Sequence, residues 1–298
     1  MADAETQTLL NSILSRLQAV GIGTLADTLY VPLETILQAG INRDELIALD
    51  NFFLNKGVTR SLATGLKQIR RGETVSIGCG ALDSILKGGV QPGLVTDFFG
   101  KSGSGKTQTC FQLTMNACKN GSPVVFIDPS GTFRPERLTQ MCESRGLNPD
   151  SVLSSVYVAR PHSVSDQMRM IQEFEDVFSL RSAKLVVLDG LTENFISEYE
   201  GQQGLIRRQS KLAQHLHDLA SLSFRAGLPV VVTNTVRTRV ATASLQREIE
   251  SGGNIVAQGI HLRIRLERTG RGWVAHILQP YVEDSTAAFR IGPEGIIG

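Results

Sequence analysis

Residues 100–107 read GKSGSGKT, glycines alternating with small polar residues before a lysine and a threonine. Glycine at 100, 103 and 105 lets successive backbone N–H groups curl around an anion. Gly100, Lys101, Ser102, Gly103, Ser104, Gly105, Lys106 and Thr107 therefore read as a cradle for nucleotide phosphates, between a strand and a helix. Lys106 is expected to reach the β- and γ-phosphates and Thr107 to hold Mg²⁺, which makes these two the catalytic candidates. Asp189 ends the apolar run LVVLD and is the second Mg²⁺ candidate, the alternative being an aspartate that caps a turn.

A third stretch, VVFIDPSGTFRPERL at 124–138, leaves a question. Asp128 ends its apolar run, but Pro129 and Ser130 follow, not a second acid. A nucleotide hydrolase needs a group to activate water, and a serine hydroxyl is no base near neutral pH. Glu136, Glu193 and Glu250 are acids that could stand in. Arg134 either stacks on an adenine or lies solvated. Asn234, at the end of VVVTN, either senses a γ-phosphate or simply terminates a strand.

From about residue 75 the chain alternates strands with helices. Strands are expected at 94–99, 124–128, 154–159, 185–189 and 229–234, and helices at 106–119, 134–145, 163–180 and 204–226. That order predicts an α/β core with a mostly parallel central sheet, helices on both faces and nucleotide at the strand ends. IHLRIRLER, GWVAHILQ and AAFRIG read as C-terminal antiparallel strands. Residues 1–58 show only helical punctuation, with helices near 5–19, 24–30, 32–39 and 43–55, and read as a small all-helical N-terminal domain. Residues 59–74 read as a linker, and 75–298 as the nucleotide-binding core.

Hydrophobic residues are 41% and charged residues 20%, the balance of an ordinary globular protein. A net charge of +1 provides no global basic field, so any nucleic-acid contact must come from local loops. The N-terminus lacks the apolar stretch of a signal peptide, and no window is apolar enough to span a membrane. Four cysteines without metal or redox spacing suit a reducing, cytoplasmic setting. Residues 236–254, with Arg237, Arg239 and Arg247, read either as a mobile DNA loop or as a solvated surface loop. Arg263 and Arg265 share a strand face, either as a phosphate-contacting stripe or as charge on an exposed edge.

Taken together, VSIGCGALDSILKGGV, GKSGSGKTQ, TFRPERL, LVVLDGLTENFISEY, GLIRRQSKLAQHLHDLA, VVVTN, SGGNIVAQ and GPEGI resemble the archaeal RadA and eukaryotic-type strand-exchange recombinases of the RecA superfamily. GIGTLADTLYVPLETILQAGI resembles that family's helix-hairpin-helix domain. The resemblance implies a RecA-like P-loop core that binds ATP and Mg²⁺, with Gln108 in the nucleotide loop, Arg134 stacked on adenine and Asp189 linked to Mg²⁺. It also implies recombination and repair through single-stranded DNA and through a RadA-type recombinase or self-association, with Arg208 beside Arg237, Arg239 and Arg247 as DNA contacts. The chain departs from the pattern at Ser130, where the family has a water-activating glutamate, and at Thr235, where it has a coupling glutamine. The linker shows no clear Phe-x-x-Ala polymerisation plug. The combination implies a paralogue that binds ATP and hydrolyses it weakly. A fully active filament-forming recombinase, or a nucleotide-controlled interaction module without a DNA role, are the alternatives.

Overall fold

The computed structural model describes residues 2–29, 33–56, 72–174, 183–242, 245–279 and 285–298. They fall into two compact units, 1–70 and 71–298. Most of the expected linker lies outside the described residues.

The first unit contains α1 (Ala2–Ala19), a 3-10 turn (Ala26–Leu29), α2 (Leu33–Gln38) and α3 (Arg43–Asn55). Leu10, Ile13 and Leu17 fall on one stripe of α1 and pack with Ile36, Leu49 and Phe53. A reciprocal cap starts α3: Asn42 Oδ1 accepts from Glu45 N at 3.0 Å, and the Glu45 carboxylate accepts from Asn42 N at 2.9 Å. Arg16 hydrogen-bonds and ion-pairs with Glu45, fastening α1 to α3 and holding that carboxyl below its ordinary range.

In the second unit the strands are β1 (Val95–Gly100), β2 (Val124–Ile127), β3 (Val156–Ala159), β4 (Leu185–Asp189), β5 (Val230–Thr242), β6 (Leu245–Glu250), β7 (Leu262–Thr269), β8 (Gly272–Gln279), β9 (Thr286–Gly292) and β10 (Gly295–Ile297). They form one sheet in the order β10-β9-β8-β7-β1-β5-β4-β2-β3, with β6 paired to β5. Every residue of β1, β2 and β4 is buried, as near-continuous apolar runs require when both sheet faces are covered. Successive residues alternate between two cores. Phe98, Phe126, Val187 and Val231 face one; Val95, Val125, Val186 and Val230 face the other.

The helices of this unit are α4 (Gly80–Ile85), α5 (Lys106–Cys118), α6 (Pro135–Ser144), α7 (Pro149–Leu153), α8 (Val164–Gln172), α9 (Glu193–Glu198), α10 (Gly201–Ala226) and α11 (Asn254–Gly259). Leucines 212, 216, 219 and 222 of α10 are buried in the second core, whereas Leu205 is exposed. Among the described residues no helix is long and apolar enough to cross a membrane.

One expectation needs correcting. The run after 234 is no loop: β5 continues to Thr242 and pairs antiparallel with β6 as a ribbon. The C-terminal strands β7, β8, β9 and β10 pair antiparallel in turn, as expected, and β7 joins them to the core by running parallel to β1, with Phe98 opposite Ile264. The C-terminal ends of β1 and β4 thus lie on either side of the middle of β5, with Asp189 registered on Thr233 and Gly100 on Thr235.

Candidate nucleotide site

A cleft of about 440 Å³ opens beyond these strand ends. Ser102, Gly103, Gly105, Lys106, Thr107 and Gln108 form one wall. Gly103 and Gly105 take φ of +77° and +97°, backbone that favours glycine and turns the loop into the start of α5. No side chain caps α5, so its first N–H groups stay available to an anion. Lys106 Nζ donates to the carbonyls of Gly100 and Lys101, each at 2.9 Å. Burial lowers the Lys106 pKa, opposed by the charges of Asp189 and then Glu193.

Asp189 is the electrostatic centre. It is 4% exposed and accepts hydroxyls from three separate elements. Thr107 donates at 2.8 Å, Thr132 at 3.2 Å and Thr233 at 2.7 Å. A carboxylate bonded to the threonine that closes the phosphate loop is a donor set suited to Mg²⁺, which takes oxygen ligands and keeps several waters. The uncapped helix, the left-handed glycines and this oxygen cluster together fit a nucleotide with its Mg²⁺.

Asp128, the acid that ends β2, does not enter the cleft lining. It is fully buried and accepts from the backbone N of Thr132 at 2.8 Å and of Phe133 at 2.9 Å. It therefore shapes the 128–133 turn, which Phe133 anchors edge-on against Phe111 and Phe126. Ser130, on the same turn, lines the cleft beside Gly190 and Glu193.

The remaining expected residues divide. Gln108 lines the cleft, and its Oε1 accepts from Arg137 Nε at 2.8 Å. Arg134 is exposed and donates to the carbonyls of Gly131 and Phe133; it is not among the cleft-lining residues. Lys101 instead lines a neighbouring cavity with Arg265 and Arg268. Asn234 has its amide fully engaged. Its Nδ2 donates to Glu250 at 2.9 Å and Ser251 O at 2.7 Å, and its Oδ1 accepts from Thr192 at 2.9 Å. The strand end at the cleft is thereby tied to the base of the β5–β6 ribbon. Trp273 and Ile291, which no sequence pattern singled out, line the cleft against the phosphate loop. Trp273 donates to Gly103 O at 3.2 Å, and Arg268 lies 5.4 Å over its ring.

Of the basic candidates, Arg208 and Arg237 line one small cavity with Thr192 and Ser251. Arg239 and Arg247 are register partners across the ribbon. Arg263 is not a free phosphate contact: it is ion-paired with the buried Glu250 and lies over Phe99.

The family model described as Rad51 matches residues 70–298. The chain belongs to the Rad51 family. Rad51-family proteins are RecA-like recombination and repair proteins that bind ATP with Mg²⁺. The cleft brings together the phosphate loop, Thr107 and Asp189, with Ser130 on the turn after β2.

Proposed function

We propose that this Rad51-family chain is a RadA-like paralogue in which ATP·Mg²⁺ binding governs attachment to single-stranded DNA or to a recombinase partner, with slow hydrolysis. The observation that carries this reading is the contrast within one cleft. Asp189 gathers three hydroxyls beside Lys106, while the turn that would bring an acid to the terminal phosphate brings Ser130. Lys106 and the N–H groups of the loop would hold phosphate oxygens, and Thr107 with Asp189 would hold Mg²⁺. Bound Mg²⁺ supplies positive charge against the charge that develops on the phosphates. Without an acid at 130, proton transfer from the attacking water falls to a residue elsewhere on the cleft wall, which is in keeping with slow turnover. The DNA part is supported by the basic residues at the ribbon, where Arg208 and Arg237 share a cavity and Asn234 links the ribbon base to the cleft.

The experiment is a titration of a labelled single-stranded oligonucleotide with and without ATP, at two salt concentrations. Tighter binding with ATP, weakening with salt and lost in Lys106→Ala, is the expected result. ATP-independent, salt-insensitive binding would sink the reading.

A further inference from the structure

The geometry points to Glu193 as the residue that takes the proton from the attacking water, replacing the acid absent at position 130. This rests on the nucleotide-binding reading above.

Three acids were open candidates for the role, and the fold separates them. Glu250 is buried, ion-paired with Arg263 and hydrogen-bonded to Asn234. Glu136 is exposed in the first turn of α6 and outside the cleft wall. Glu193 lines the cleft together with Lys106, Ser130 and Gly190. The other two acids nearby are occupied, Asp189 by three hydroxyls and Asp128 by the backbone of its own turn.

Gly190 explains how Glu193 comes to stand there. Its φ is +120°, and a Cβ built on it would lie 2.7 Å from Ser130 Oγ and 2.8 Å from Glu193 Cγ. Any other residue at 190 would wedge those two side chains apart. A short side chain at 130 and none at 190 together open the space into which Glu193 leans. A carboxylate on the first turn of α9 thus stands beside the Ser130 side chain on the cleft wall.

The segment carrying Glu193 is held from both sides. Asn194 Nδ2 donates to Gln167 Oε1 at 3.1 Å, and Gln167 Nε2 donates to Leu191 O at 3.0 Å. Thr192 Oγ1 donates to Asn234, and Phe195 is buried in the second core. A carboxylate so anchored is placed for one task with little reorganisation. In that task the oxygen of water forms a bond to the terminal phosphorus as the bond from phosphorus to the bridging oxygen breaks. The electron pair leaves on ADP. The water proton passes to the Glu193 carboxylate, which returns it to solvent.

The test compares the full-length chain with Glu193→Gln, measuring equilibrium affinities for ATP and ADP and single-turnover hydrolysis with Mg²⁺. The expected result is a rate lower by ~10²–10⁴-fold. ATP affinity should rise with ADP affinity unchanged, because a negative charge facing the terminal phosphate is gone. A Gln variant that hydrolyses at the unmodified rate overturns the assignment, as does equal weakening of both nucleotides. ATP binding without measurable turnover in the unmodified chain also overturns it, while leaving the nucleotide-binding reading intact. An unmodified chain that binds no ATP overturns both.

Discussion

At the scale of single residues, the site is governed by which side chains are missing as much as by which are present. Ser130 and Gly190 are small, and the room they leave is filled by Glu193. Gly190 is therefore a position where one methyl group bears directly on the cleft. Alanine there meets Ser130 Oγ at 2.7 Å and Glu193 Cγ at 2.8 Å, in a left-handed backbone conformation. Gly131 provides the control, because its φ of +66° is also left-handed yet nothing lies within 4 Å of an added Cβ. Gly131→Ala should cost only the conformational penalty, ~1–2 kcal/mol. Gly190→Ala should cost more than that in denaturant unfolding, and should also change the ATP-to-ADP affinity ratio, which Gly131→Ala should leave alone. Equal effects of the two substitutions on both measurements would mean that the crowding at 190 has no bearing on the cleft.

At the scale of elements, what could be read from the sequence was what local pattern decides. The β4 run LVVLD occupies 185–189 as expected, because a strand buried on both faces is an apolar run bounded by polar residues. The phosphate loop was legible for a similar reason: its glycines are required by its own backbone. The ribbon was not legible. Residues 236–250 are polar with no clean alternation, and their pairing follows a register set from β5. The direction of β7 was hidden too, because a hairpin with β8 is local whereas its parallel pairing with β1 spans the domain. In the candidate site, Trp273 was missed because it comes from a distant strand and belongs to no motif. The ribbon makes its own prediction. Arg208 and Arg237 line one cavity with Ser251, two cations placed where an anion would be favoured. If single-stranded DNA is that anion, Arg208→Ala or Arg237→Ala should each reduce the slope of log affinity against log salt by about 0.7, the value of one phosphate contact on a single strand. Arg263→Ala should act differently, lowering stability by ~3 kcal/mol or more because it leaves the buried Glu250 without its partner. Titrations at several salt concentrations, beside denaturant curves, separate the two behaviours.

At the scale of the whole molecule, two buried ionisable groups should set opposite limbs of the stability profile. His215, on α10, is buried in the second core, and burial pushes its pKa down to about 3. The Gln167 amide donates to Leu191 O and accepts from Asn194, so its remaining N–H faces His215 Nε2 at 3.2 Å. The ring proton then belongs on Nδ1, which has no partner among the described residues. The folded chain keeps this histidine neutral while the unfolded chain protonates it below its ordinary 6.5. Its contribution is complete above that pH and declines as pH falls toward about 3, a loss on the order of a few kcal/mol. Asp97 works in the other direction. It is fully buried on β1, and burial followed by the neighbouring Glu250 raises its pKa well above the ordinary value, partly opposed by Arg263 and Lys106. Its neutral form is the folded form, so its contribution is full below the ordinary aspartate range, falls as pH rises above that range and is gone above the raised value. His215→Leu should lower the melting temperature near neutral pH, because one Gln167 N–H loses its acceptor, a cost of ~1–3 kcal/mol. The same variant should flatten the acid limb below pH 6.5. Asp97→Asn, which keeps the uncharged shape and offers an N–H to Glu250, should remove the fall in stability that begins as pH rises above the ordinary aspartate range. Because Gln167 and Asn194 also hold the segment bearing Glu193, acid pH should slow single-turnover hydrolysis before it unfolds the chain, and His215→Leu should lessen that early loss. Hydrolysis rate and melting temperature that fall together in both proteins would show that His215 acts on the fold alone.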